Sequence, residues 1–389
     1  MDKYISRKVE SIVLEAAQYF PVIIITGPRQ SGKSTLIKHL FPDYFHCTLE
    51  DYDVRGRAED DPKRFLLSQD GGMVIDEVQN VPSLLSYMQG VVDANPDHRY
   101  VLSGSSNFSM LRTVKQSLAG RAFIVDLLPL SLEEVGDEVN QLTTNELLFG
   151  GLYPAVFTGA RPAKFMYPAY VRTYLERDVS EILNVRNIMQ FNKFLKICAG
   201  RIGQIFNASQ VATEVGVSSH TISEWLSILE ASYVIFRLQP YFKNMNKRLV
   251  KSPKLYFCDT GLARHLLGIE SPAALESHSM RGALFENLIV TEALKHRFNR
   301  GKENNLCFYR DSNQNEIDLV LMEEGEMKGV EIKSSMTYHN SFEHVLKRME
   351  TLVGEAVFDK IVVYDGDFEV SNSPIKVINY RHLNNTVLK

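Results

Sequence analysis

The sequence predicts an α/β protein of several domains, led by a parallel sheet covered by helices. Three observations carry this. Val22 to Ile25 is an unbroken β-branched apolar run that enters a glycine-bearing loop and then a helical pattern, Leu36-Ile37-x-x-Leu40. Gly72-Met73-Val74-Ile75-Asp76-Glu77 is a second apolar strand, ending in two carboxylates. Glu316 to Met322 and Lys328 to Lys333 form the arms of a hairpin around Glu323-Glu324-Gly325-Glu326.

At 389 residues the chain exceeds one ordinary domain, and two to four are expected. Apolar residues at 44% and charged residues at 23% are those of a soluble globular protein with a sizeable core. A net charge of −4 gives no global case for nucleic acid, so any such surface must be local. Cys47, Cys198, Cys258 and Cys307 lie far apart without a C-x-x-C, which disfavours a zinc site or disulfides and suits a reducing cytosol. The first ten residues are too polar for a signal peptide, and no apolar run approaches transmembrane length. The expected location is cytoplasmic, away from membranes.

Taken in order, Tyr4 to Tyr19 reads as a helix with Val9, Ile12, Val13, Ala16 and Ala17 on one stripe. The loop after the first strand, Gly27-Pro28-Arg29-Gln30-Ser31-Gly32-Lys33-Ser34, fully matches G-x-x-x-x-G-K-[ST], a P-loop or Walker A motif. Gly27 and Gly32 let successive amides aim at phosphate oxygens, and the following helix adds its positive dipole end. Lys33 places a cation on the β/γ-phosphates, Ser34 ligates Mg²⁺, and Thr35 completes the ATP-binding set. Tyr44 to Leu49 reads as the second strand. Glu50 to Asp53 reads as an acidic loop, either plainly solvated or holding a metal-bound water.

The strand ending at Asp76 and Glu77 lies 43 residues beyond Lys33, the Walker B arrangement of P-loop ATPases. There Asp76 holds Mg²⁺ from the Ser34 side and Glu77 polarises the attacking water. Tyr100-Val101-Leu102 leads into Ser103-Gly104-Ser105-Ser106. Ser103 is the candidate γ-phosphate sensor and Ser105 the fallback, although a simple Gly-Ser turn fits the same residues. Arg121 reads either as an arginine finger acting on a neighbouring subunit, which implies a homo-oligomer, or as a surface residue after a glycine turn.

These residues carry a resemblance. Gly27-Pro28-Arg29-Gln30, Ile75-Asp76-Glu77-Val78-Gln79, Leu102-Ser103-Gly104-Ser105 and Leu118-Ala119-Gly120-Arg121 resemble the prokaryotic AAA-type ATPases with a C-terminal domain of unknown function. So do Pro129-Leu130-Ser131-Leu132-x-Glu134, Gly150-Gly151-Leu152-Tyr153-Pro154, Tyr174-Leu175-x-Arg177-Asp178 and Lys254-Leu255-Tyr256-Phe257-x-Asp259-x-Gly261-Leu262. The similarity runs over nearly the whole chain.

Residues 129–200 read as a helical lid or connector after a 1–128 ATPase core. Residues 201–257 read as a winged helix-turn-helix, with Gly216 at the turn, Ser218 as cap and Ile222, Trp225, Leu226 and Leu229 on the core face. Its exposed Ser219, His220, Ser223 and Ser227 include no cation for reading guanine edges. Ala231 to Cys258 contains no acid but holds Arg237, Lys243, Lys247, Arg248, Lys251 and Lys254, interleaved with Tyr241 and Phe242. Lys243, Lys247, Arg248 and Lys251 are therefore the expected contacts to a DNA or RNA backbone.

In residues 258–389, pairing Met322 with Met327 sets Asp318 opposite Glu331 and Glu316 opposite Lys333. Ile317, Leu319, Leu321, Val330 and Ile332 then share the buried face, and Asp318, Glu331 and Lys333 the other. Gly282 to Asn287 opens an amphipathic helix. The pattern resembles restriction-endonuclease-like nucleases of PD-(D/E)XK type. That resemblance implies Asp318 and Glu331 as metal ligands, Lys333 as catalytic lysine and Glu286 as the helix carboxylate, with Mg²⁺ activating water. Two functions remain open: an ATPase coupled to nucleic-acid engagement with metal-dependent cleavage, and a non-nucleolytic ATP-driven switch or protein-interaction module.

Overall fold

The computed structural model describes residues 4–105, 117–179, 188–241, 252–323, 325–353, 357 and 359–388. Lys243, Lys247, Arg248 and Lys251 lie outside the described residues, as do the side chains of Ser105, Arg177 and Asp178. The chain forms two compact units. One comprises Met1–Leu130, Ile228–Val234 and Arg297–Lys302; the other comprises Ser131–Ser227, Ile235–His296 and Glu303–Lys389.

The first unit holds an all-parallel five-stranded sheet of β1 (Val22–Gly27), β2 (Phe45–Thr48), β3 (Gly72–Asp76), β4 (Arg99–Ser105) and β5 (Ala122–Asp126). Their order is β2-β3-β4-β1-β5, so β4 lies between the P-loop strand and the strand ending at Asp76. All six β1 residues are buried. Period-two alternation sends Val22 and Ile24 into one core with Leu84, Leu85 and Met88 of helix α5 (Ser83–Ala94). Ile23 and Ile25 enter the other, with Val9, Val13 and Ala16 at helix α1 (Glu10–Tyr19) and Leu36 and Ile37 of helix α2 (Lys33–Leu40).

The first helix starts at Glu10 rather than Tyr4. The Glu10 carboxylate accepts from Tyr4 Oη at 2.8 Å, Ser6 Oγ at 3.1 Å and Arg7 N at 2.5 Å, holding that segment out of the helix. Arg7 then reaches Ser31 O at 2.9 Å and Leu128 O at 2.7 Å. The stretch expected as an acidic loop runs into a helix at Tyr52: Asp51 accepts from Asp53 N and caps α3 (Tyr52–Asp60).

The second unit contains a seven-stranded sheet, ordered β12-β11-β10-β9-β8-β6-β7. Its strands are β6 (Ile235–Pro240), β7 (Lys254–Phe257), β8 (Cys307–Arg310), β9 (Glu316–Glu323), β10 (Glu326–Lys333), β11 (Asp359–Tyr364) and β12 (Lys376–Asn379). The two strands expected of a wing, β6 and β7, pair antiparallel with each other, and β6 also pairs parallel with β8. The hairpin register places Met327 against Met322, as expected. Ile317 through Leu321 are all buried, however, so no face of β9 is open there. Ahead of these strands α6 (Thr144–Gly150), α7 (Ala163–Tyr170), α8 (Ile188–Ala199), α9 (Ala208–Val215) and α10 (Ser219–Ala231) precede β6. Gly216 turns between α9 and α10 at φ 87°, Ser218 Oγ caps Thr221 N at 3.0 Å, and Trp225 packs edge-on to Phe191 and tilted against Phe194 of α8.

Helix α12 (Arg281–Phe298) is not amphipathic, because residues from Leu284 to His296 are buried nearly all round. Its polar side chains are used inside. Asn287 accepts from Phe257 N at 2.7 Å and donates to Phe257 O at 2.9 Å, taking the place of a strand neighbour for edge strand β7. Buried Glu292 accepts from Leu132 N at 2.6 Å and pairs with Lys295 at 2.8 Å.

The two glycine motifs meet at Asp259, the cap of α11 (Thr260–Leu266). Its carboxylate accepts from Leu152 N at 2.7 Å, Tyr167 Oη at 2.8 Å and Leu262 N at 3.1 Å. A Cβ on Gly261 would lie 2.2 Å from Tyr167 Oη, and Gly151 has φ 67° with the same carboxylate in the way. Gly261→Ala is therefore expected to destabilise this unit by about 1–3 kcal/mol, the range for overpacking a filled site. A lowered apparent Tm in thermal denaturation checks it; an unchanged Tm refutes it.

Candidate functional site

The P-loop is shaped by three positive-φ residues, Gly27 at 147°, Gln30 at 65° and Gly32 at 97°. A Cβ on Gly27 would lie 2.2 Å from Leu127 O, so only glycine fits that start. Thr26, fully buried just before it, bonds Asp126 Oδ1 at 2.9 Å and Tyr233 Oη at 2.7 Å. Tyr233, at φ 52°, also donates to Asp126. These contacts anchor the end of β1, from which the loop leaves.

Lys33 is 7% exposed, and its Nζ donates to Gly27 O at 3.0 Å and Pro28 O at 2.9 Å, along the inside of the loop. Burial pulls its pKa down to about 8, against the attraction of Glu77 and Asp76. Ser31 Oγ is buried without a hydrogen-bond partner among the described residues. An under-compensated cation and an orphaned hydroxyl in one loop suit an anion with many oxygens.

Asp76 gathers the other parts. Its Oδ2 accepts from Ser34 Oγ at 2.8 Å, while its Oδ1 accepts from Ser103 Oγ and from Glu77 N at 3.0 Å. The parallel order β3-β4-β1 makes this possible by setting the ends of the three strands side by side. Glu77 takes the left-handed conformation at φ 56°, a strained choice for a non-glycine residue, and Gln79 Nε2 donates to its carboxylate. Gln79, quoted in the motif but given no role there, thus positions Glu77. Thr48, Glu50, Ser34 and Asp76 line an adjoining cleft of about 420 Å³. Arg121 is not at this site: its Nε and Nη2 fork onto Asp93 at 2.7 and 2.8 Å, on α5. The hard oxygens of Ser34 and Asp76 fit Mg²⁺.

In the second unit Glu286, Asp318, Glu331 and Lys333 do come together, but with Lys254, expected on a basic surface, and Glu316, expected opposite Lys333, in other roles. Lys254 is 1% exposed rather than part of a basic surface. Its Nζ is 2.7 Å from Glu316 Oε1, 3.1 Å from Glu286 Oε1 and 3.9 Å from Asp318 Oδ1. Burial alone would lower its pKa; the carboxylates of Glu286, Asp318 and Glu316 outweigh this and raise it. Glu316 pairs with Arg310 at 2.9 Å and not with Lys333, which holds Glu331 Oε1 at 2.6 Å. Asp318 Oδ2 accepts from Ile332 N at 2.8 Å, and Tyr256 Oη donates to Glu286 at 2.5 Å.

Among the described residues no three His, Cys, Asp or Glu side chains form a metal-holding group. The Glu286 and Asp318 oxygens converge on an ammonium, so this cluster does not fit the divalent ion that the nuclease resemblance implies. Burial, then the nearby Asp318 charge, pushes Glu286 up to about 7 and Glu331 up to about 8. A buried lysine at the centre leaves no separate signal in the sequence; Lys254 reads there as one cation of a basic run.

Two outcomes follow. Asp76→Asn keeps the hydroxyl contacts but loses the charge, and should weaken Mg²⁺-dependent ATP binding by about 10–100-fold while sparing Mg²⁺-free binding. Fluorescent-nucleotide titrations with and without Mg²⁺ separate the two. Glu286 and Glu331 keep their protons to higher pH folded than unfolded, where the ordinary value is 4.5. Folding therefore takes up protons between about pH 4.5 and about pH 8, and stability falls as pH rises through that window. Glu331→Gln should flatten this slope in thermal denaturation; an identical slope would count against the shifts.

Three family models match the chain: an AAA domain over residues 19–136, a domain of unknown function (DUF8612) over 141–273, and a domain of unknown function (DUF4143) over 281–383. Relatives include the uncharacterized protein Rv2008c of Mycobacterium tuberculosis, 31% identical over 321 residues, which are 82% of this chain and 71% of that protein. The uncharacterized protein MJ1544 of Methanocaldococcus jannaschii is 22% identical over 88% of this chain and 82% of its own. Among solved structures, the Walker-type ATPase PABY2304 of Pyrococcus abyssi aligns with 68% of this chain and 96% of its own at 15% identity and a TM-score of 0.45. Among the described residues no helix is long and apolar enough to cross a membrane. The chain thus belongs to the same family as Rv2008c, and its residues 19–136 are an AAA domain.

Proposed function

We propose that the protein is a Mg²⁺-dependent ATPase whose nucleotide state governs engagement of a nucleic-acid backbone. The supporting observation is the Asp76 carboxylate held between Ser34 and Ser103, with Glu77 next in the chain. The amides of residues 29–34 and the start of α2 receive the triphosphate, and Lys33 exchanges its two carbonyl partners for phosphate oxygens. Ser34 and Asp76 are the residues to hold Mg²⁺, which when bound neutralises charge on the β- and γ-oxygens. Glu77, steadied by Gln79, accepts the proton of the water that attacks the γ-phosphorus as the bond to the β-phosphate oxygen breaks. Ser103 is the γ-phosphate sensor in this reading, a role supported by its hydrogen bond to Asp76.

Nucleic-acid engagement rests on the acid-free run from Ala231 to Cys258 with Lys243, Lys247, Arg248 and Lys251. The exposed residues of helix α10, Ser219, His220, Ser223, Glu224 and Ser227, include no Lys or Arg to read base edges, which favours backbone contact elsewhere over base contact here. The cluster around Lys254 adds no cleavage step. The guanidinium of Arg121 would have to leave Asp93 to serve a neighbouring subunit, and a strictly monomeric ATP-bound Glu77→Gln protein would remove that role.

Phosphate release should vanish in Lys33→Ala and fall by about 10²–10⁴ in Glu77→Gln. Undiminished hydrolysis in both variants would sink the ATPase reading. Binding to a random-sequence duplex, followed by anisotropy, should weaken with salt at a log–log slope of about −4 for four phosphate contacts. Alanine at Lys243, Lys247, Arg248 and Lys251 should flatten it. Equal affinity with ADP and with a non-hydrolysable ATP analogue would refute the coupling.

A further inference from the structure

Four carboxylates, Glu286, Glu316, Asp318 and Glu331, lie with three cations, Lys254, Arg310 and Lys333, drawn from α12 and from strands β7 to β10 of the second unit's sheet. Arg310 and Lys333 each hold one acid from the rim, at 31% and 35% side-chain exposure. Lys254 is the buried member, and it is bracketed by acids from α12 and β9. Its 2.7 and 3.1 Å separations are hydrogen-bond lengths of an ammonium, longer than the 2.0–2.6 Å at which carboxylate oxygens hold Mg²⁺ or Ca²⁺. Phe308, 5.4 Å from Nζ at its ring centre, closes another side with a face suited to an organic cation. Glu331 adds an independent sign of incomplete compensation: it is 8% exposed, and its Oε2 is buried without a hydrogen-bond partner among the described residues.

With all four acids counted as ionised, the charge balance points the same way. With Lys254 in place the acids exceed the cations by one, and adding a divalent ion would overshoot to a buried surplus of positive charge. Without Lys254 the excess is two, which a single divalent ion cancels. We propose that the Lys254 ammonium is the resident cation of this pocket, making it a metal-independent core that becomes a divalent-cation site only when that lysine is removed. This inference does not depend on the ATPase reading.

The test uses the nucleotide-free full chain and Mn²⁺, followed by the electron paramagnetic resonance of the free ion. Wild type and Asp318→Asn should bind Mn²⁺ alike. Lys254→Ala should melt below wild type, gain one Mn²⁺ per chain, and recover stability as Mn²⁺ is added; Lys254→Ala with Asp318→Asn should lose that gained site. A wild-type Mn²⁺ site abolished by Asp318→Asn would overturn the proposal. So would a folded Lys254→Ala protein, judged by circular dichroism, that gains no Mn²⁺. Should Lys254→Ala not fold even with Mn²⁺, the comparison of wild type with Asp318→Asn still decides.

Discussion

An ammonium removed from water must find its compensation where it lies, and each unit of this chain is arranged around one such group. Lys33 meets the carbonyl oxygens of its own loop, which are dipoles without net charge, and burial drags its pKa down. Lys254 meets carboxylates, and its pKa moves up. The same chemical group is thus short of negative charge in one unit and supplied with it in the other. The first arrangement favours a polyanion; in the second the ammonium already has its counter-charges. That difference separates the nucleotide site from the acidic cluster more clearly than either motif does.

A second pattern is the use of side chains as backbone partners. Asn287 closes the edge of β7, Asp318 takes the amide of Ile332, Asp259 takes those of Leu152 and Leu262, and Glu292 takes that of Leu132. Each removes a buried amide from the unsatisfied set at places where sheet or helix ends. It also explains why polar residues stand inside α12, where an amphipathic pattern would put apolar ones.

Local signals were legible in the sequence. The P-loop, the strand ending at Asp76 and Glu77, the glycine turn before α10 and the Met322–Met327 register depend on residues near one another in the chain, and each is where its pattern puts it. The insertion of β4 beside β1 was legible too, through Ser103. Burial of Lys254 was not, because its acids lie 32 to 64 residues away and a lysine in a basic run looks the same whether exposed or enclosed. The all-round burial of α12 and the Asp93 partner of Arg121 are likewise tertiary facts. Asp259 and the two glycines were visible as motifs, yet only packing shows that they form one knot.

The pairing of β1 has a consequence for the order of events during synthesis. Its neighbours are Tyr100–Ser105 on one side and Ala122–Asp126 on the other, and Thr26 finds a further partner in Tyr233. The strand bearing the P-loop therefore emerges about 100 residues before it can be enclosed, roughly 5–20 s at ordinary translation rates. Through that interval Val22–Ile25 is a bare β-branched stretch with strong tendency to pair wrongly. Leu127, whose carbonyl oxygen backs Gly27, emerges at the same late stage, so the strand and its loop wait together.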